Sequence, residues 1–253
     1  MKISIITISY NNCHELKTAI KSVLSQTHTD IEYIIVDGAS SDGTQTMIEA
    51  YGERITKFVS EPDKGIYDAL NKGVRLATGE LIGFLHSDDI YAHANIISQV
   101  AEAASLSKAE AIYGDLQYVN KEDTSIVTRY WQSGTYDKSL LKRGWMPPHP
   151  SLFLSPAIYE SAKMPSGEYF DSSLRIAADY DFMMRILNTH HIHPIYLPEV
   201  LVKMRVGGAS NRNLKAIINK SKEDFLVMRR NKLNPWTTLF WKNFKIFKQK
   251  IKK

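Results

Sequence analysis

The run Leu81-Ile82-Gly83-Phe84-Leu85-His86-Ser87-Asp88-Asp89 sets two adjacent carboxylates at the end of an apolar stretch of strand length. Such a stretch reads as a central parallel strand. In open α/β sheets, ligands bind beyond the carboxyl ends of these strands. Two acids there repel each other and need a cation or strong hydrogen bonds to stay charged. Hard carboxylate oxygens suit Mg²⁺ or Mn²⁺, which take one or two carboxylates and leave room for substrate phosphates. The plain alternative is an exposed turn with solvated acids.

Three more clusters carry usable chemistry. Thr7-Ile8-Ser9-Tyr10-Asn11-Asn12 offers hydroxyls and an aromatic ring on which a planar base can stack. It also reads as a helix cap with an incidental tyrosine. In Val36-Asp37-Gly38-Ala39-Ser40-Ser41-Asp42-Gly43-Thr44, Asp37 ends a strand and can accept bonds from a base imide or a ribose. Asp-Gly pairs also simply make turns, and Asp42 reads as a turn or capping residue. Ala39 breaks the ligand spacing of a calcium loop. The segment from Glu61 to Gly73 holds Asp63, Lys64, Gly65, Asp68, Asn71 and Lys72. Its lysines can neutralise phosphates as point charges; its acids also suit a solvated first helical turn.

Strands must hold these groups at one edge. Ile3 to Ser9, Ile31 to Val36, Ile55 to Val59 and Leu81 to Leu85 read as strands. Between them lie helical patterns: Leu16, Ala19, Ile20, Val23 and Leu24 on one face, then Thr44 to Tyr51 and Ile66 to Ala77. Asn12 with Glu15 resembles a capping box. This alternation predicts a parallel sheet with right-handed crossovers. Farther on come a helix over Asn95 to Leu106 and β segments at Ala111 to Tyr113, Leu116 to Val119 and Ile126 to Trp131. A proline-rich loop follows at Trp145 to Pro150, then a helix over Asp179 to Leu187 and a late strand over Leu201 to Val206. Asp181 and Arg185 read as a helix-surface pair. His190, His191 and His193 read as helix C-terminal caps rather than metal ligands.

The chain has 253 residues and a net charge of +5. Residues 212–253 hold thirteen Lys and Arg against Glu223 and Asp224, a net of +11, so the rest carries −6. An acidic body argues against nucleic-acid binding. Cys13 is the single cysteine, which excludes an internal disulfide or a cysteine-based zinc site and fits a reducing cytoplasm. No apolar run reaches the length of a membrane span, and the N-terminus reads as a buried strand rather than a signal peptide.

The ordered set T-I-S-Y-N-N, V-D-G-A-S-S-D-G-T, D-K-G-I-Y-D-A-L-N-K-G and L-H-S-D-D resembles glycosyltransferase family 2, over about residues 1–210. It resembles in particular the bacterial enzymes of capsule, exopolysaccharide and O-antigen synthesis. The resemblance implies a GT-A fold, a Rossmann-like, mostly parallel sheet flanked by helices. It implies inverting, metal-dependent transfer of a hexosyl-type sugar from a nucleotide-diphosphate sugar to a glycan or lipid-linked hydroxyl. Thr7, Ser9, Tyr10 and Asp37 match positions that hold base and ribose. Asp63, Lys64, Gly65, Asp68 and Asn71 match a segment near sugar and diphosphate. Asp89 matches the metal ligand for Mn²⁺ or Mg²⁺, and Asp88, after Ser87, faces ribose or sugar. In Ala178-Asp179-Tyr180-Asp181, Asp179 takes the catalytic-base position; as a plain structural residue it would be an N-cap. Arg205 with Gly207, Gly208 and Ser210 resembles an element near the diphosphate. His149 sits on a loop that can border the acceptor.

Residues 211–253 read as a helical extension. Trp236, Phe240, Phe244, Phe247 and Ile251 share one helix face, and lysines cover the rest. That pattern suits an anionic membrane surface, on the inner face of a cell membrane; a helix docked on the body or on a second subunit is the alternative. An oligomer is compatible with either. If the tail is a separable anchor, a chain ended at Pro235 loses vesicle binding and keeps donor hydrolysis. Two other functions compete. A sugar-nucleotide nucleotidyltransferase would carry a glycine-rich phosphate loop where Tyr10-Asn11-Asn12-Cys13-His14 stands. A non-catalytic membrane-associated assembly protein would leave the strand-end acids unexplained.

Overall fold

The computed structural model describes residues 1–207 and 214–251. Gly208, Ser210, Lys252 and Lys253 lie outside the described residues, as do the side chains of Phe247 and Ile251.

β1 (Ile3–Ser9) is buried along its whole length. Its residues alternate between two cores: Ile3 and Ile5 feed one, Ile6 and Ile8 the other. β2 (Ile31–Asp37) runs parallel to it in a register that brings Ser9 level with Asp37. β3 (Lys57–Ser60) and β4 (Leu81–Phe84) extend this parallel half on either side. Helix α1 (Cys13–Leu24) and α2 (Thr44–Glu49) cover one face, and α3 (Ile66–Leu76) covers the other. Strands buried on both faces need such cover, which is why their sequences read as apolar runs.

The second half is mixed. It contains β5 (Asp89–Tyr91), α4 (Ile96–Ser107), β6 (Ala111–Val119), β7 (Val127–Trp131), β8 (Leu152–Leu154) and α5 (Pro156–Ser161). It continues through α6 (Ala178–Met184), β9 (Ile195–Arg205), α7 (Leu214–Arg230) and α8 (Pro235–Ile251). The strand order is β3-β2-β1-β4-β8-β6-β9-β5, with β7 on β6. β8 enters antiparallel between β4 and β6, which ends the parallel run.

Several expectations change. The late strand starts at Ile195, not Leu201, because β9 pairs along the length of β6. The two segments expected at 111–113 and 116–119 are one strand, β6. No side-chain cap forms at Asn12; its Nδ2 donates to Ser87 Oγ at 3.0 Å, and Asp42 accepts from the N–H of Cys13 instead. Trp145 to Pro150 is buried and ends in a 3-10 turn, His149–Ser151. Three prolines without N–H groups lower the cost of burying it. Arg185 and Asp181 are not a surface pair. Asp181 is buried, and Arg185 also donates to the carbonyls of Ala162 and Tyr169.

The C-terminal helices pack on the body. α7 sends Val227 and Met228 into the core shared by α3 and α6. Glu223 of α7 accepts bonds from the N–H groups of Arg175, Ile176 and Ala177, the turn that opens α6. α8 lies against α7 through Trp236 and Phe225, whose ring centres are 5.2 Å apart. Its Thr238, 1% exposed, donates to the Lys142 carbonyl at 3.0 Å. A separable anchor ending the chain is therefore not what the fold presents. Among the described residues, no helix is long and apolar enough to cross a membrane.

Glu223→Ala leaves three backbone donors without their carboxylate. The expected loss is about 2–3 kcal/mol of unfolding free energy in urea titrations, with Glu223→Gln recovering part of it.

Candidate active site

The carboxyl ends of β1, β2, β3 and β4 lie at one edge of the sheet, and the singled-out residues divide there into two groups. In the first, the Tyr10 ring is 65% exposed, beside Gly38 and Asp63. A Cβ on Gly38 would lie 2.5 Å from Asp63 Oδ2 and 3.2 Å from the Tyr10 ring, so glycine is what lets these groups close together. Asp63 also accepts from the N–H of Gly65, and Asp68 from that of Lys64. The Lys64 side chain and Gly65 stand open to solvent. Lys72 is committed to Glu61 at 2.9 Å and to the Pro62 carbonyl.

Other members of this group are braces. Asp37 is fully buried, and its oxygens accept from Ser40 N–H, Ser40 Oγ and Ser60 Oγ. Those bonds shape the turn and use the acceptors expected to meet a base or ribose. Thr7 is fully buried and donates to the Leu85 carbonyl at 2.7 Å, tying β1 to the turn after β4. Asn71 is also fully buried. Its amide donates to the Phe170 carbonyl, and its oxygen accepts from the N–H groups of Tyr169 and Phe170. Ser9 differs: its buried hydroxyl has no partner.

The second group gathers after β4. The Asp89 N–H closes a turn onto the His86 carbonyl, and Asn12 holds Ser87. Arg205, 9% exposed, spends its guanidinium on the carbonyls of Asp88 and Lys121 and on Thr18 Oγ1. It anchors the acidic turn by its backbone rather than reaching outward to a diphosphate. Asp88 keeps a half-buried, accessible carboxylate. Asp89 is only 1% exposed, and neither of its oxygens has a partner. Burial, then the Asp88 charge, push its carboxyl well above the usual range. Asp88 is thus the more accessible of the two carboxylates, and Asp89 the one whose oxygens lack partners within the protein. Among the described residues, no group of three or more His, Cys, Asp or Glu forms a protein-only metal cage. One open carboxylate fits an ion that takes its remaining ligands from phosphates.

Asp179 approaches from the other side. It is the second residue of α6, whose N-cap is Ala177. Tyr67 OH donates to it at 3.2 Å and to the Ile176 carbonyl at 2.6 Å. A helix start should lower its pKa. Burial instead raises it, against a lowering contribution from the Tyr180 N–H. Part of its surface remains open.

His86, not singled out beforehand, is a further member. It lies within electrostatic reach of Asp88 and Asp179. Its position one residue before the Ser-Asp-Asp run was the available signal. His149 is no open loop residue: it is 7% exposed, packed on Phe84 and Phe170, with its Nε2 unpaired. Its ring centre is 6.0 Å from that of His86. Burial, then His86, pull the His149 pKa down from 6.5 to about 3.

Folded His149 therefore resists a proton that the unfolded chain accepts near 6.5. Its stabilising contribution is full above that value and declines as pH falls toward about 3. Unfolding free energy from urea titrations should drop on going from about pH 7 to about pH 5. His149→Phe should lose roughly 2 kcal/mol less over that interval.

The family model for glycosyl transferase family 2 matches residues 4–160. An uncharacterized glycosyltransferase of Mycobacterium tuberculosis is 38% identical over 104 residues, 41% of this chain and 40% of the relative. A PGL/p-HBAD biosynthesis glycosyltransferase of Mycobacterium bovis is 30% identical over 214 residues, 82% of this chain and 78% of the relative. An uncharacterized glycosyltransferase of Rickettsia typhi is also 30% identical, over 83% of this chain but 66% of its own length. Among solved structures, S. aureus TarS residues 1–349 with UDP-GlcNAc superposes with a TM-score of 0.68 at 18% identity, covering 91% of this chain and 65% of that one. The mannosyltransferase PcManGT of Pyrobaculum calidifontis, in complex with GDP-Man and Mn²⁺, gives 0.65 at 16% identity, covering 96% and 69%. The fold these share with this chain is GT-A. By the extent of the family match and of the M. bovis alignment, the chain belongs to glycosyl transferase family 2.

Proposed function

We propose that this protein is an inverting glycosyltransferase that moves a sugar from a nucleotide-diphosphate sugar to a hydroxyl of a glycan or lipid-linked acceptor. The observation that carries the reading is that Asp88, in the turn after β4, and Asp179, at the start of α6, both lie within electrostatic reach of His86. Neighbours of the same fold were solved with UDP-GlcNAc and with GDP-Man and Mn²⁺, which supports a nucleotide-sugar donor. The base lies along the exposed Tyr10 ring, near Gly38 and Asp63, and the diphosphate lies toward Asp88.

In the reaction, the acceptor oxygen bonds to the anomeric carbon from the face opposite the diphosphate. The carbon–oxygen bond to the diphosphate breaks, and its electron pair leaves with the nucleoside diphosphate. The acceptor proton passes to Asp179, whose raised pKa makes it a stronger base than an exposed aspartate. Tyr67 fixes the orientation of that carboxylate. Asp88 and Asp89 would hold Mg²⁺ or Mn²⁺, which would supply positive charge to offset that of the departing diphosphate.

Cell-surface polysaccharide synthesis at the inner face of the membrane is the setting we infer. Trp236, Phe240, Trp241 and Phe244 are exposed on α8, at 75%, 64%, 42% and 39%. Residues 236–253 contain six lysines and no acid. Aromatic anchors within a basic helix suit an anionic lipid surface.

Incubation with a panel of nucleotide sugars and Mn²⁺ should release nucleoside diphosphate from at least one donor. No release from any would refute the reading. Asp179→Asn should keep donor affinity and lower the transfer rate by roughly 10²–10⁴. Asp89→Ala should weaken metal-dependent donor binding, and Asp88→Ala should do so as well.

Replacing Phe240 and Phe244 together by serine should weaken sedimentation with phosphatidylglycerol vesicles and leave the thermal midpoint in place. Unchanged sedimentation would exclude this face as the lipid contact.

A further inference from the structure

Lys242 is an unusual residue on α8. Its side chain is 11% exposed, in a helix whose neighbouring face is open to solvent. Its Nζ lies 2.9 Å from Asp224 Oδ1 of α7 and 3.6 Å from the centre of the Tyr180 ring of α6. Asp224 is 4% exposed. Gly144, at a φ of +66°, makes room: a Cβ there would lie 2.6 Å from Lys242 Cβ. The Thr238 bond to Lys142 fixes the same stretch of α8, one helical turn earlier. Burying an ammonium is costly unless it is paired, so this insertion is a specific feature of the docked helix.

Its place matters because Tyr180 directly follows Asp179. The groups that act on Asp179 electrostatically come from every side. Tyr67 approaches from α3, His86 from the turn after β4 and Tyr118 from β6. Lys220 and Asp224 belong to α7, and Lys242 to α8. Asp224 opposes ionisation of Asp179, and the two lysines favour it. Without Lys242, a second buried acid would stand beside the first with its charge uncompensated.

We propose that α8 carries a positioning residue for transfer: Lys242, inserted between Tyr180 and Asp224, offsets the Asp224 charge and so holds Asp179 as a carboxylate. This rests on reading Asp179 as the base. The C-terminal helix then belongs to the catalytic machinery, and competence for transfer depends on its being docked. The same helix turns its aromatic residues outward, so its seating is felt at both surfaces.

The test is a direct titration of Asp179 in the full-length chain, by carbon NMR of labelled aspartate carboxyls, with the resonance identified through Asp179→Asn. Lys242→Met, close in volume, should move the Asp179 midpoint up by roughly one pH unit. Asp224→Asn should move it down. The double variant, which removes both charges, should return it near the starting value. The acid limb of nucleoside diphosphate release should follow the same order. A purely structural role for Lys242 would lower the rate at every pH and leave the midpoints together. Unmoved midpoints in both single variants would overturn the proposal. Because the titration needs no donor, it stays decisive even if no nucleotide sugar is turned over, a result that would refute the function instead.

Discussion

A polar group taken out of water must find a partner, and the distribution of partners sorts the residues of this fold. Glu32, at the opposite edge of the sheet from the site, shows the satisfied case. Burial alone would raise its pKa, yet Lys57, Ser4 and Thr78 bind it and pull it down to about 2. Asp89 shows the opposite case: equally buried, with no partner for either oxygen and its pKa pushed up. Asp37, Asn71 and Arg205 behave like Glu32, saturated by hydrogen bonds within the protein. Ser9 and His149 behave like Asp89. The braces and the groups left for chemistry thus share one edge but differ in how their bonding capacity is spent.

That difference also marks where sequence reasoning stopped. β1, β2, β4 and α3 were legible because an apolar run or a helical stripe repeats over enough residues to fix its period. β5 and β8, each three residues long, are too short to show any period. Their pairing depends on β9 and β6, far away in the chain. The site was legible at the level of which loops meet and less so at the level of roles. Asn71 and Arg205 were read as ligand contacts, because an amide or a guanidinium looks the same whether it meets a phosphate or a carbonyl. Asp88 and Asp89 are adjacent, and only the start of β5 decides which one turns inward.

Asp179 illustrates a contest of two effects. Its place at a helix start favours the charged form, by a few tenths to about one kcal/mol at an exposed end. Desolvation by the surrounding elements disfavours it and wins here. A carboxylate that must take a proton from a hydroxyl gains from this outcome, provided it is still ionised when the acceptor arrives. The surroundings therefore have to raise its pKa without neutralising it, which requires cations near the acid but not in contact with it.

The C-terminal helices meet that requirement. Within the described body, several cations near the sheet edge are already committed: Lys72 to Glu61, Arg205 to backbone carbonyls, Arg185 to Asp181. The charge that reaches Asp179 comes from Lys220 and Lys242, on α7 and α8. α7 also supplies Glu223, which holds the turn that starts α6. Position and ionisation of the same aspartate thus both descend from a segment whose composition reads as a basic tail. Its lysines look alike in sequence, but Lys242 points inward, because Gly144 leaves space and the buried Asp224 carboxyl lies 2.9 Å away.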